Sequence, residues 1–213
     1  MLFGAPNCTR MGQSAVVFAC ERSGEAQRRL WGVARIARVW PHVREAVTAA
    51  GNLTLIFDRH ALSYESLASR LLAAWKDADQ FVPDVRTVEI PVRYGGDEGP
   101  DLAGVARACG LAPREVIARH AAPAYVVSFL GFVPGFAYLD GLDPGLSVPR
   151  RAQPRTRVPA GSVAIAGAQS AVYPLESPGG WNLIGRTGLR MFDPSREPFA
   201  LLEPGDVVRF VAQ

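Results

Sequence analysis

Residues 129–194 read FLGFVPGFAYLDGLDPGLSVPRRAQPRTRVPAGSVAIAGAQSAVYPLESPGGWNLIGRTGLRMFDP. Glycine and proline recur there at short intervals among β-branched and aromatic residues. Proline removes a backbone donor and fixes φ, and glycine supplies turns, so the stretch suits short strands and cannot sustain a long helix. Between Gly131 and Gln213 lie 10 of the 17 prolines and 11 of the 21 glycines, which marks the C-terminal part as β-rich. Short strands are expected at residues 125–130, 162–165, 171–173, 182–185 and 206–211, forming an antiparallel barrel or sandwich.

The chain before this stretch has a different rhythm. Residues 14–19 read as a strand, and residues 25–39 place Ala26, Leu30, Val33, Ala34 and Ala37 on one helical face that ends before Pro41. Strands follow at 43–48 and 53–57, joined across Ala50-Gly51-Asn52. Ser63 then caps a helix bearing Tyr64, Leu67, Ala68, Leu71, Leu72 and Trp75 at helical spacing, and residues 85–93 supply another strand. This β-α-β-β-α-β order is the split βαβ, or ferredoxin-like, arrangement. Two short helices come next, one from Asp101 with Leu102, Val105, Ala106 and Cys109 inward, and one opened by Pro113. The fold class expected is α+β: a ferredoxin-like domain over residues 1–89, then a β-barrel domain over residues 90–213.

Composition bounds the function. With 213 residues, 48% hydrophobic and 20% charged, the chain has enough apolar content for a packed core. The net charge is +3, and the 23 basic residues are 22 Arg and the single Lys76. No basic helix or aromatic RNA-binding signature accompanies them, so nucleic acid is not an expected partner. Apolar runs are interrupted well short of the ~20 residues a bilayer crossing needs. The N-terminal MLFGAPNCTRMGQSAVVFAC lacks the basic and continuous apolar regions of a signal peptide. Cys8, Cys20 and Cys109 are odd in number and widely spaced, which fits a reducing compartment and a cytoplasmic location.

Catalytic motifs are few. Lys76 has no glycine-rich phosphate loop before it, His42, His60 and His120 are isolated, and no G-x-S-x-G elbow is present. A metal site is not expected, nor a covalently bound cofactor. Three groups of residues remain as candidates. GFVPGFAYL offers Gly131, Phe132, Pro134, Gly135, Phe136 and Tyr138 either as the rigid wall of a cleft or interface or as an aromatic core turn. Arg150, Arg151, Arg155 and Arg157 form a basic cluster, in which Arg155 and Arg157 would share a strand face and hold a carboxylate or phosphate, unless they are solvated surface charge. SPGGWNLIGRT combines Ser177, Gly179 and Gly180, whose amides suit an anion-binding nest, with Trp181, Arg186 and Thr187. The alternative there is a tight turn around a core tryptophan. His120, after a helix, reads either as a C-terminal cap or as an acid/base group, and Asp101 as a helix cap.

Four blocks in order, IPVRYGGDEGPDL from Ile90, GFVPGFAYL from Gly131, PRTRVPAGSVAIAG from Pro154 and SPGGWNLIGRT from Ser177, resemble the family of the 5-oxoprolinase B subunit. That family is also known as allophanate hydrolase subunit 1 and includes a kinase inhibitor of sporulating bacilli. Gln13, Asp140, Ser170-Ala171 and Gly188 depart from its usual residues. The resemblance implies a cyclophilin-like barrel and places Gln169 at the cleft. It implies a non-autonomous subunit of an ATP-dependent amidohydrolase that opens 5-oxoproline to glutamate with subunits C and A, using ATP with Mg at the level of the complex. Two other functions occur with this architecture: inhibition of a sensor histidine kinase, and half of a carboxyltransferase in a biotin-dependent urea or amide carboxylase.

Overall fold

The computed structural model describes residues 6–78 and 85–213, so the first five residues of the N-terminal stretch lie outside it. The chain separates into two compact units, Met1–Asp84 and Val85–Gln213. The division expected from the sequence falls between residues 89 and 90.

The first unit is a four-stranded antiparallel sheet with two helices. Its elements are β1 (Asn7–Met11), β2 (Ala15–Ala19), α1 (Gly24–Ala37), β3 (Val43–Ala49), β4 (Asn52–Phe57) and α2 (Tyr64–Asp77). Ser23 and Ser63 cap the two helices, each hydroxyl accepting a backbone N–H three residues on, at 3.1 and 3.2 Å. Val16, Phe18, Leu53, Leu55 and Phe57 alternate along the strands, and they pack with Leu30, Val33, Leu67 and Leu71 in one core. The sheet order β1-β2-β4-β3 carries one correction. In the split βαβ read from the sequence, the strand after the second helix completes the sheet. Here β1 occupies that place, pairing with β2 from Asn7↔Ala19 to Met11↔Ala15. The strand after α2, β5 (Thr87–Tyr94), belongs wholly to the second unit.

The second unit is a closed barrel. Its strands are β5, β6 (Tyr125–Leu130), β7 (Ala137–Asp140), β9 (Ser162–Ala166), β10 (Gln169–Val172), β12 (Asn182–Arg186) and β13 (Val207–Ala212), in the order β10-β7-β6-β13-β5-β12-β9. All neighbours are antiparallel except β5 and β13, which run parallel from Thr87↔Val207 to Val92↔Ala212. A two-stranded ribbon, β8 (Arg155–Val158) with β11 (Ser177–Gly179), lies outside the barrel ladder. Helices α3 (Leu102–Cys109) and α4 (Pro113–Ala121) come between β5 and β6. Pro113 opens α4 as expected, and the left-handed Gly110 (φ +68°) ends α3.

Both faces of several barrel strands are buried. Val163 and Ile165 of β9, Leu139 of β7 and Ile184 of β12 point into the barrel with Ile90, Val127 and Phe210. The alternate residues Ala164, Ala166, Tyr138 and Leu183 join Phe136, Val158, Ala171, Tyr173 and Trp181 in a second cluster on the outside. That outer cluster includes Val158 of β8, so the ribbon covers barrel strands that would otherwise show an apolar face to water.

His120 projects from α4 into the barrel core and is fully buried. The Ser170 hydroxyl donates to the Ala164 carbonyl (3.3 Å), so it accepts from the His120 Nε2–H (2.9 Å), and Nδ1 accepts from the Tyr94 hydroxyl (2.8 Å). The ring also packs against Tyr125 and Phe210, and the Tyr125 hydroxyl donates to the His120 carbonyl (2.8 Å). Rather than capping the helix end with its ring, His120 fastens α4 to β5 and β10. Burial pushes its pKa down from 6.5 to about 3, so the imidazole is neutral in the native protein.

This arrangement sets a pH dependence. Between pH 6.5 and about 3 the unfolded chain binds a proton that the native His120 refuses, so its contribution is complete above pH 6.5 and declines on acidification. The decline is ~1.4 kcal/mol per pH unit inside that window. Urea-denaturation midpoints of the wild type should fall more steeply from pH 7 to pH 4 than those of His120→Phe. Parallel profiles would contradict this placement.

Candidate functional site

Most of the residues singled out from the sequence, His120 in the barrel core excepted, gather around the outer cluster of the barrel, where β7, β9, β10 and β12 meet the β8–β11 ribbon. The GFVPGFAYL block forms the β6–β7 hairpin turn and the start of β7. Its backbone is closed by three hydrogen bonds: Gly131 N–H to Phe136 C=O (3.1 Å), Val133 N–H to Gly131 C=O (2.8 Å) and Phe136 N–H to Val133 C=O (3.0 Å). The second makes a γ-turn at Phe132, whose φ of +67° is costly for a side chain, ~1–3 kcal/mol. The third brackets Pro134 and the left-handed Gly135 (φ +79°), the pair a type II turn requires. A Cβ on Gly135 would stand 2.7 Å from the Phe192 Cβ, so only glycine fits.

Behind this turn the rings interlock. Phe136 meets Phe132, Tyr173 and Trp181 edge-on at 5.4, 5.2 and 5.8 Å, and Tyr138 stacks on Phe129 at 4.3 Å and lies 5.9 Å from Trp181. Phe136 and Trp181 are buried while Phe132 is 59% exposed. Phe136 therefore fits the reading of the block as an aromatic core turn, while Phe132 lies at the surface.

The arginines do not converge on one empty anion position. Asp101 takes two of them. Its carboxylate accepts from Arg151 (2.6 Å), from both terminal nitrogens of Arg155 (2.8 and 2.9 Å) and from the Leu183 N–H (2.8 Å). Asp101 makes no side-chain hydrogen bond to the start of α3, which corrects its reading as a helix cap. Burial by itself raises the carboxyl pKa, but the Arg155 hydrogen bonds, the Leu183 N–H and the Arg151 charge together outweigh it and hold Asp101 below the usual range. Arg157 pairs instead with Glu176 at 2.9 Å, both exposed. The guanidinium of Arg150 sits 6.0 Å from the Trp181 ring centre, with no ion pair among the described residues.

SPGGW is extended rather than curled. Ser177 and Gly179 belong to β11, and neither Gly179 nor Gly180 has a positive φ, so their amides do not form the concave nest expected from the sequence. The glycine at 179 has a steric cause: a Cβ there would strike the Tyr173 hydroxyl. The Gly180 carbonyl accepts from the Arg151 N–H (2.7 Å), continuing the ribbon toward the arginine segment. The Ser177 hydroxyl is buried and has no partner among the described residues. Arg186 donates to the Ala160 carbonyl (3.0 Å), and the Thr187 hydroxyl, also buried, accepts from the Leu189 N–H (3.2 Å). Gln169 donates its amide to Asp140 (2.7 Å) across the β7–β10 pair. Among the described residues no group of three or more His, Cys, Asp or Glu is placed to hold a metal ion, and no helix is long and apolar enough to cross a membrane.

Residues 6–202 match the family model described as carboxyltransferase domain, subdomain C and D. A relative from Escherichia coli O157:H7, the B subunit of 5-oxoprolinase, is 47% identical over 209 residues, which is 97% of this chain and 95% of that protein. The chain belongs to the family of the 5-oxoprolinase B subunit. Among solved structures, TTHA0988 superposes with a TM-score of 0.81 at 43% identity. The match covers 93% of this chain but only 40% of TTHA0988, so the present fold is one segment of a longer polypeptide there. The Kluyveromyces lactis urea amidolyase shares the fold, with a TM-score of 0.80 at 19% identity over 98% of this chain and 15% of its own.

Asp101 and Tyr173 are not among the site residues that the sequence points to. Asp101 stands in the matched block, but its partners Arg151, Arg155 and Leu183 lie 50, 54 and 82 residues away, beyond any local pattern. Removing its carboxylate leaves two arginines without a counter-ion and one strand N–H unpaired. Asp101→Ala should lower unfolding stability by ~1–3 kcal/mol, discounted for the partial exposure of both arginines, and Asp101→Asn by less because it retains an acceptor. Equal losses in both, read by chemical denaturation, would show that the hydrogen-bond count at this position is immaterial.

Proposed function

We propose that this chain is the B subunit of a 5-oxoprolinase, acting with subunits of the A and C types in the ATP-dependent opening of 5-oxoproline to glutamate. The observation that carries this reading is the 47% identity to the Escherichia coli protein of that name across nearly the full length of both chains. Hydrolysing a planar lactam requires its amide to be activated, and ATP supplies that driving force.

The SPGG backbone is extended, and Arg155, Arg157 and Arg186 each hold a group of this chain. On this reading ATP and its Mg are bound at the level of the complex, and this chain contributes one wall of a shared site. Arg150 over Trp181, and the amide oxygen of Gln169, are the chemistry available on that wall: a cation for a carboxylate and an acceptor for an N–H. The three cysteines are free thiols, which supports a reducing, cytoplasmic setting.

Mixed with its own A and C subunits, the chain should give 5-oxoproline-dependent ATP hydrolysis with release of glutamate, and omitting it should reduce the rate to background. A full rate without it, or turnover by the isolated chain, contradicts the proposal. Within that complex, Arg150→Ala should raise KM for 5-oxoproline about tenfold, equivalent to ~1.4 kcal/mol, and leave the folded chain's stability within ~0.5 kcal/mol. Arg155→Ala should instead lose stability, because it breaks the Asp101 cluster.

A further inference from the structure

We propose that the turn at residues 131–136, with Phe132 at its tip, together with Phe199 of the segment paired to Phe192, is the surface by which this chain docks a separate polypeptide equivalent to the part of TTHA0988 that it does not cover. This rests on the reading of the chain as one subunit of a complex, and it assigns the contact.

Phe132 is placed unlike a core residue. It is 59% exposed, its backbone is held at φ +67°, and its ring has one edge-on contact, with Phe136 at 5.4 Å. An aromatic residue held in a left-handed γ-turn persists only where its surroundings over-determine the backbone. Those surroundings are present: three turn hydrogen bonds, and Gly135 seated against Phe192, Met191 and Pro174. The ring therefore leaves the surface in a set direction, and little backbone freedom remains to be lost on binding.

Phe192 also brings in the second ring. It bridges Ala200, and the Asp193 N–H donates to the Phe199 carbonyl at 2.7 Å, so the segment carrying Phe199 is paired beside the residue that buttresses the turn. Phe199 is 48% exposed, and these two are the exposed phenylalanines among the described residues. A ring projecting from a hairpin tip fits into a recess. Small ligands are held in concavities, so a convex aromatic anchor points to a protein partner instead.

The identity of that partner comes from the length relation. In TTHA0988 the equivalent module, at 43% identity, fills 40% of the chain, and covalent continuity keeps the remainder beside it. Where the module is a separate subunit, the same neighbour has to be held by surface contacts. The partner's chemistry follows: an apolar recess that admits one or two aromatic rings.

The test uses the full-length chain and the purified partner polypeptide corresponding to the rest of TTHA0988. Phe132→Gly removes the ring while keeping the backbone angle. Its thermal midpoint should equal or exceed that of the wild type, and its Kd for the partner by titration calorimetry should rise at least ~30-fold. Phe199→Ala should weaken binding less, by ~5-fold. A Phe132→Gly affinity within twofold of the wild type overturns the proposal, as does a wild-type chain that fails to bind the partner. Self-association of the chain alone that depends on Phe132 would overturn it in favour of a second copy as occupant. Complex formation that depends on Phe132, without 5-oxoproline-dependent ATP hydrolysis, leaves the docking surface standing and removes only the catalytic reading.

Discussion

A single carboxylate organises the outer wall of the barrel. Asp101, at the start of α3, receives three guanidinium hydrogen bonds and one from the backbone of β12, and its side chain is only 10% exposed. Because Arg155 begins β8 and Arg151 is tied to Gly180, the same oxygen atoms set where the ribbon lies over β9, β10 and β12. Phe136, Tyr173 and Trp181 fill the space so enclosed. Moving Asp101 would therefore disturb two strands, a helix and an aromatic cluster together. Its partners satisfy its charge geometrically, since the Arg155 fork, one Arg151 nitrogen and a backbone N–H use most of its lone pairs.

Two buried faces on one set of strands explain much of the sequence's texture. Where a strand has a core on one side and water on the other, polar residues alternate with apolar ones. Residues 162–166 read SVAIA, all buried, with the larger Val163 and Ile165 inside the barrel and the small Ala164 and Ala166 under the aromatic cluster. The alternation survives as size instead of polarity. Glycine at 185 belongs to the same logic, since a Cβ there would stand 2.7 Å from a Val92 methyl and 2.8 Å from the Arg93 carbonyl.

The helices were legible because each carries its own signals: serine caps, apolar spacing, and Pro113 at a first turn. The barrel strands at 125–130, 162–165 and 182–185 were legible for the same local reason. Strands β7, β8 and β11 were not, because they are only three or four residues long, β8 and β11 being also rich in arginine, glycine or proline, and it is pairing across the fold that makes them strands. The membership of β5 was also hidden: a strand's own residues do not say which sheet will claim it. In the site, residue types were read well and their partners poorly. Arginine in PRTRV announces an anion, but nothing near it in sequence announces that Asp101 is the anion. Likewise SPGG looks like a phosphate loop until Tyr173, which forbids a side chain at Gly179, is brought against it.

The parallel seam between β5 and β13 has a consequence for how the second unit comes into being. Arg86 and Asp206, joined by a salt bridge beside that seam, are 120 residues apart, so the barrel's opening stave waits for nearly the whole unit before its neighbour arrives. Until then a nascent chain on the ribosome holds an incomplete cylinder with the flanks of β5 and β6 unprotected, and its closure is governed by a long-range encounter, which is slow. Shortening the polypeptide before Val207 would remove a stave between two others instead of trimming a rim, exposing unpaired strand edges of the kind that invite aggregation.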